Sequence, residues 1–325
     1  MSFIQISAGG GGTCGIATDS LVYCWGQGTS ADQLTPRVQS GTLKFAQLGM
    51  GSGHICGVAA SGQGYCWGYN NWGQLGNGTL DPSTTPMEVA GNRRWRQIRA
   101  GFGYTCGVTT NRAAFCWGNN DFGMTGTNVW GSTVPLRVLG GLTWRQVVAG
   151  GSHTCGVTTD DRGYCWGNND WGQLGDGTTT LRNKAVPVAG GLLFERVVPG
   201  SGWYSTATAQ GAPDEAFTCG ITTDAKGYCW GLNYVGLKLL APAPVPGGRR
   251  WQVISPGSDQ TCGVTMAHAL FCWHPNAAPV RVASALVFAT VSVPTIGSQV
   301  CALTTDKKAY CRAGTGPLVA VGPPA

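Results

Sequence analysis

Fourteen cysteines carry most of the latent chemistry of this sequence, and their spacing is regular. They form seven pairs: Cys14 and Cys24, Cys56 and Cys66, Cys106 and Cys116, Cys155 and Cys165, Cys219 and Cys229, Cys262 and Cys272, Cys301 and Cys311. Nine residues separate the members of every pair. Thiols at fixed spacing can bind a metal, exchange disulfides or cross-link the chain. Structural zinc needs four ligands, usually two close pairs. Each block here offers two, and neighbouring blocks would hold theirs too far apart. A redox-active pair favours Cys-x-x-Cys at a helix start, a motif that is absent. Cross-linking fits the surrounding residues. A hairpin centred on the turn Thr159–Gly163 sets Cys155 opposite Cys165 and Gly156 opposite Tyr164. Opposed residues of a non-hydrogen-bonded pair have close Cβ atoms, within reach of a disulfide, and an aromatic facing a glycine covers bare backbone. The expectation is seven hairpin disulfides. It carries with it an oxidising setting: extracellular, periplasmic or cell-surface.

The elements that hold these pairs repeat with them. Block-to-block distances run from 39 to 64 residues, a period typical of propellers and solenoids. Each unit reads as four short strands, exemplified by Trp144–Gly150, the two cysteine strands around residues 153–167, and Ala185–Gly190. Seven such units with no helical segment close best as an all-β propeller. An open solenoid would need capping repeats, and none is evident. The expected architecture is one propeller over 1–325, with approximate blades 1–40, 41–90, 91–139, 140–189, 190–246, 247–283 and 284–325.

Composition narrows function by exclusion. Only 11% of residues are charged and the net charge is +6, with basic residues scattered apart from Arg93, Arg94, Arg96, Arg99 and the pair Arg249 and Arg250. That pattern argues against nucleic-acid binding. No run of about 18 apolar residues suggests a membrane span, and the opening MSFIQISAGG lacks the features of a signal peptide. No nucleophile elbow, zinc-protease helix or phosphate loop occurs, and GGGGTCG precedes a strand, so it offers no helix N-terminus to phosphate. No cofactor, no metal and no catalytic activity are expected, the third reading being an enzyme whose site several blades assemble at the propeller channel.

Two stretches carry a family likeness. Tyr65–Thr79 reads YCWGYNNWGQLGNGT and Tyr164–Thr178 reads YCWGNNDWGQLGDGT. They resemble the regulator of chromosome condensation repeat, which joins Trp-Gly-x-Asn-x-x-Gly-Gln-Leu-Gly to a later Gly-x-x-His-Thr. The second half appears here as GSGHICG and GGSHTCG. The likeness spans the chain but decays: block three has FGMTG, block five LNYVGLK, and blocks six and seven lack the Gly-Gln-Leu-Gly loop. It implies a seven-bladed β-propeller. Members of the family serve as a chromatin-bound nucleotide exchange factor, a plant UV-B photoreceptor and a secreted bacterial β-lactamase inhibitor, so membership does not fix function. The variable slots of the photoreceptor's Gly-Trp-Arg-His-Thr motifs hold no Trp here, and this chain is closest in character to the secreted inhibitor.

On that architecture the loops joining strands one to two and three to four share a face. Its aromatics would be Trp72, Phe102, Tyr104, Phe122, Trp130, Trp171, Trp203, Tyr204 and Tyr234. Trp and Tyr on rigid loops suit macromolecular interfaces, so the expected partner is a protein, with glycan binding or a structural role in an extracellular assembly as the alternative. Trp203 and Tyr204 lie in an irregular insertion, a common place for a binding loop. His54 and His153 should be hydrogen-bonded within their blades, and Arg93–Arg99 should lie on the opposite face.

Overall fold

The computed structural model describes the chain apart from residues 11, 27–34, 201–215, 233–237, 258–259, 275–276, 284, 295–298 and 323–325. The described residues contain no helix, so none is long and apolar enough to cross a membrane. They form seven four-stranded antiparallel sheets, each with its strands in sequence order. The sheets span Phe3–Val38, Ser83–Glu88 back to Phe45, Trp95–Arg137, Trp144–Pro187, Phe194–Pro244, Trp251–Arg281 and Phe288–Ala320, and are numbered here as blades 1 to 7. The first strand of each blade is innermost and touches its counterparts around the ring; the fourth is outermost.

The expected hairpin register holds throughout. Cys155 pairs with Cys165 and Gly156 with Tyr164, and the same pairing recurs in the other six blades. All fourteen cysteines are disulfide-bonded within their hairpins, with Cα–Cα distances of 4.0–4.1 Å. The role given to Tyr164 needs correction. The space that a Cβ on Gly156 would occupy is filled by the Trp144 ring, 2.6 Å from that position. Tyr164 instead sits edge-on to Trp144, with centroids 6.0 Å apart. A bulge at the second residue of the innermost strand, between Trp144 and Gln146, turns the leading aromatic inward over the glycine. The fourth strand of blade 4 is Arg182–Pro187 and starts three residues before the expected position. A bulge between Cys165 and Gly167 lets its partner run back to Arg182.

The core lies between blades rather than within them. The disulfide and Val108 of blade 3 pack on Trp144, Val147 and Trp166 of blade 4, and six equivalent clusters occupy the other interfaces. The seventh joins the chain's two ends: Cys301, Leu303 and Cys311 of blade 7 pack on Phe3, Ile6 and Trp25 of blade 1. The Phe3 amide donates to the Lys307 carbonyl at 2.9 Å across this junction. The ring therefore closes face to face, with no strand shared between ends.

Candidate functional site

Asparagine and glutamine side chains build the loop face from inside. Asn169, fully buried, accepts from the Leu174 amide at 3.0 Å and donates to the Thr178 and Thr180 carbonyls at 3.0 and 3.1 Å. Asn70 and Asn120 do the same in blades 2 and 3. Gln74 and Gln173 accept from the amides of Trp72 and Trp171 at 2.9 Å. These polar side chains satisfy loop backbone that would otherwise be buried without partners, so they shape the loops.

The same loops lock onto the following blade. The Gln173 carbonyl accepts from Trp230 Nε1 at 3.0 Å and from Thr218 Oγ1 at 2.7 Å. His153 Nε2 meets that same Thr218 hydroxyl at 2.7 Å. His54 pairs likewise with Thr105 at 2.7 Å. The histidines therefore bond to the next blade and not within their own, which ties the two halves of the repeat motif together across an interface. Burial pushes both imidazoles down to about 3.

Tyr104 belongs to this interior network, contrary to its assignment to the exposed face. It is 0% exposed, its hydroxyl donates to the His153 carbonyl at 2.8 Å and accepts from the Gly150 amide at 2.9 Å, and burial raises its pKa. The sequence did contain the signal: Tyr104 aligns with His54 and His153 ahead of the cysteine.

The remaining described aromatics of that set, Trp72, Phe102, Phe122, Trp130 and Trp171, lie in loops. Trp72 is 46% exposed and leans on Phe102 of the next blade with centroids 6.2 Å apart. Trp171 is half-buried under Lys238, whose Nζ is 4.4 Å from its ring. Trp130 is 86% exposed. Together with half-buried Phe122 it lines a groove of about 260 Å³, to which Asn120 and Asp121 of blade 3 and Leu181 and Asn183 of blade 4 also contribute. Tyr69, Leu80 and Val129, exposed on the same loops, were missed because single aliphatic and Tyr residues in loops carry no periodic signal. Trp203, Tyr204 and Tyr234 lie outside the described residues.

Strand register singles out Trp130. Gly118, Gly68 and Gly167 pair with Ser132, Ser83 and Arg182, which aligns Trp130 with Asp81 and Thr180. Small polar residues satisfy that place in two blades, so the repeat does not demand an aromatic there. The basic cluster also divides: Arg93 stacks on Phe115 at 4.4 Å, Arg94 donates to the Ser61 carbonyl, and Arg99 turns into the central channel. That last placement corrects the expectation that the cluster stays on the opposite face. Among the described residues, no group of three His, Cys, Asp or Glu could hold a metal ion.

Comparison with known proteins agrees with this architecture. Two profiles, each described as the regulator of chromosome condensation (RCC1) repeat, match residues 61–108 and 160–196, and 95–123 and 144–173. No curated protein sequence matches. Among solved structures, human WBSCR16 superposes with a TM-score of 0.76 at 16% identity over 90% of this chain and 85% of that one. Yeast RCC1 (Prp20), solved with Kap60, gives 0.75 at 15% identity over 93% and 83%. The CRINKLY WD40 ectodomain of the Arabidopsis thaliana receptor kinase ACR4 gives 0.63 at 22% identity over 99% and 98%. The chain is thus a seven-bladed β-propeller, and its segments within residues 61–123 and 144–196 match the RCC1 repeat.

Proposed function

We propose that the protein is a non-enzymatic extracellular binding protein that engages another protein through the aromatic loop face of blades 2 to 4. The observation that carries the reading is Trp130, almost fully exposed at a place where the repeat needs no aromatic. Large aromatics flanked by aliphatics are the usual anchors of protein interfaces, and Leu80, Val129 and Leu181 supply such flanks. The outer strands hold these loops together: the Gly78 amide donates to the Thr133 carbonyl at 2.9 Å, three residues from Trp130. Seven disulfides support an oxidising, extracellular setting. A plant receptor ectodomain of similar fold sits in that setting, and yeast RCC1 bound to Kap60 is a protein-binding precedent.

Glycan binding is the second reading, favoured by the groove that combines Trp130 with Asn120, Asp121 and Asn183. Capture from the native secretome with wild type, Trp72→Ala/Trp130→Ala, and an opposite-face control, Arg162→Ala, tests the first. Loss of a captured protein by the double variant alone is the expected result. Equal capture by all three would remove the aromatic face from the site. Retention on a glycan array that the double variant abolishes would favour the second reading.

A further inference from the structure

A second cavity, of about 210 Å³, runs down the ring axis and is walled by all seven innermost strands. Its wall follows a pattern. The third residue of the strand is Gln in blades 1 to 4, and in blades 1 to 3 it clamps the next blade. Gln5 accepts from the Leu48 amide at 3.0 Å and donates to the Leu48 carbonyl at 2.6 Å, and Gln47 accepts from the Ile98 amide at 2.8 Å. The fifth residue is Ser in three blades. Ser7, Ser255 and Ser292 accept from the amides of Met50, Val293 and Ala8 at 3.0, 3.0 and 2.8 Å. Where the fifth residue is Val148 or Val198, the next blade presents Pro199 or Pro256, which has no amide hydrogen to satisfy.

Two residues depart from this pattern with a positive charge. Arg196 stands in the third place of blade 5 and Arg99 in the fifth place of blade 3. Both line the channel, and no Asp or Glu does. Arg99 donates to the Leu48 carbonyl at 2.6 Å and has no carboxylate partner among the described residues. Arg196 donates through Nη2 to Glu195 at 2.9 Å, but its Nε is buried without a partner, as is Gln146 Oε1 on the blade between them. Protein packed around Arg99, with the charge of Arg196 as a second cause, draws its pKa down to about 10. Two like charges thus face one lined cavity with donor capacity to spare.

We propose that the central channel is a binding site for an oxyanion, a carboxylate or phosphate group held between Arg99 and Arg196. Guanidinium groups present forked donors that match such oxygens, and rotating the Gln146 amide by half a turn adds its NH2 as a further donor. Neither arginine belongs to the aromatic face, so this site stands or fails independently of it.

The repeat itself supplies variants that should fold: Arg196→Gln and Arg99→Ser restore the residues used at those places in other blades. Phosphate and citrate are titrated against potassium chloride at matched ionic strength, read by calorimetry and thermal melting. Wild type should show saturable binding and a rise in Tm of a few degrees. Each single variant should bind at least tenfold more weakly, and the double variant not at all, while melting no lower than wild type in chloride. Absence of saturable binding to wild type, or an equal response from the double variant, would overturn the proposal. If binding is seen, displacement of a captured protein by free phosphate assigns the oxyanion to an acidic side chain of that protein, and failure to displace assigns it to a free solute.

Discussion

His54 and His153 are held neutral at the blade interfaces, each against a threonine hydroxyl of the following blade. Their depressed pKa, about 3 when folded against roughly 6.5 when unfolded, makes stability depend on pH. Their contribution is fully present above the unfolded value and is lost as pH falls from there toward 3, because the unfolded chain takes up protons that the folded one refuses. Between pH 7 and 5 each costs about 2 kcal/mol. The repeat offers a control, since Tyr104 fills the same place in blade 3 with a hydroxyl that does not titrate in this range. The denaturant midpoint of wild type should therefore drop from pH 7 to 5, and that of His54→Tyr/His153→Tyr should drop much less. The same pH slope in both would show that acid acts elsewhere. At this scale, the sequence made the spacing of residues plain but not their neighbours. The Cys155–Cys165 pairing follows from counting along one hairpin. The partner of His153 lies 65 residues away, and nothing local points to it.

Each blade element is defined by the surface it offers to the next. The glycines ending the innermost strands make the point, because a Cβ on Gly51 would lie 2.4 Å from the Gly101 carbonyl oxygen, and one on Gly101 would lie 2.6 Å from that of Gly150. Backbone amides bridge the same gap, Phe102 donating to the Gly150 carbonyl at 3.0 Å. Gly101→Ala forces a methyl against immovable backbone at this seam, and overpacking of that kind costs about 1–3 kcal/mol. Thermal melting of Gly101→Ala should show a clear loss of stability with all disulfides intact. A melt indistinguishable from wild type would mean that the seam opens freely. The strands themselves were readable from alternation and the hairpins from their turns. The fourth strand was misplaced in blade 4 because its start is set by a bulge in its partner after Cys165, a feature of pairing that the strand's own residues do not encode. Trp72, Phe102, Phe122, Trp130 and Trp171 lie in loops, and for Tyr104 the repeat alignment would have outweighed its neighbouring Phe102.

Across the whole molecule, seven interfaces of one kind replace a single central core, and the last of them is made by the first and seventh blades. Many propellers could close by lending a strand from one end of the chain to the other; here every sheet is continuous in sequence. Closure then rests on side-chain packing around Phe3 and Trp25, and on bonds such as the Ser292 hydroxyl to the Ala8 amide at 2.8 Å. One consequence is that no link between blades is topologically special. Six residues join the fourth strand of blade 3 at Arg137 to the first of blade 4 at Trp144. Joining Ala320 to Phe3 through a linker of about six residues would make a seventh link like that one. A circular permutant opened between Gly141 and Leu142, where both glycines of the link have open space around them, keeps all seven interfaces and every hairpin disulfide. Exposed links of this type tolerate such cuts. The permutant should refold to a monomer-sized species with no free thiols and a melting temperature within a few degrees of the parent. A permutant that aggregates, or that exposes thiols of blades 1 and 7, would show that the native order of synthesis is needed to close the ring and that face-to-face packing alone is insufficient.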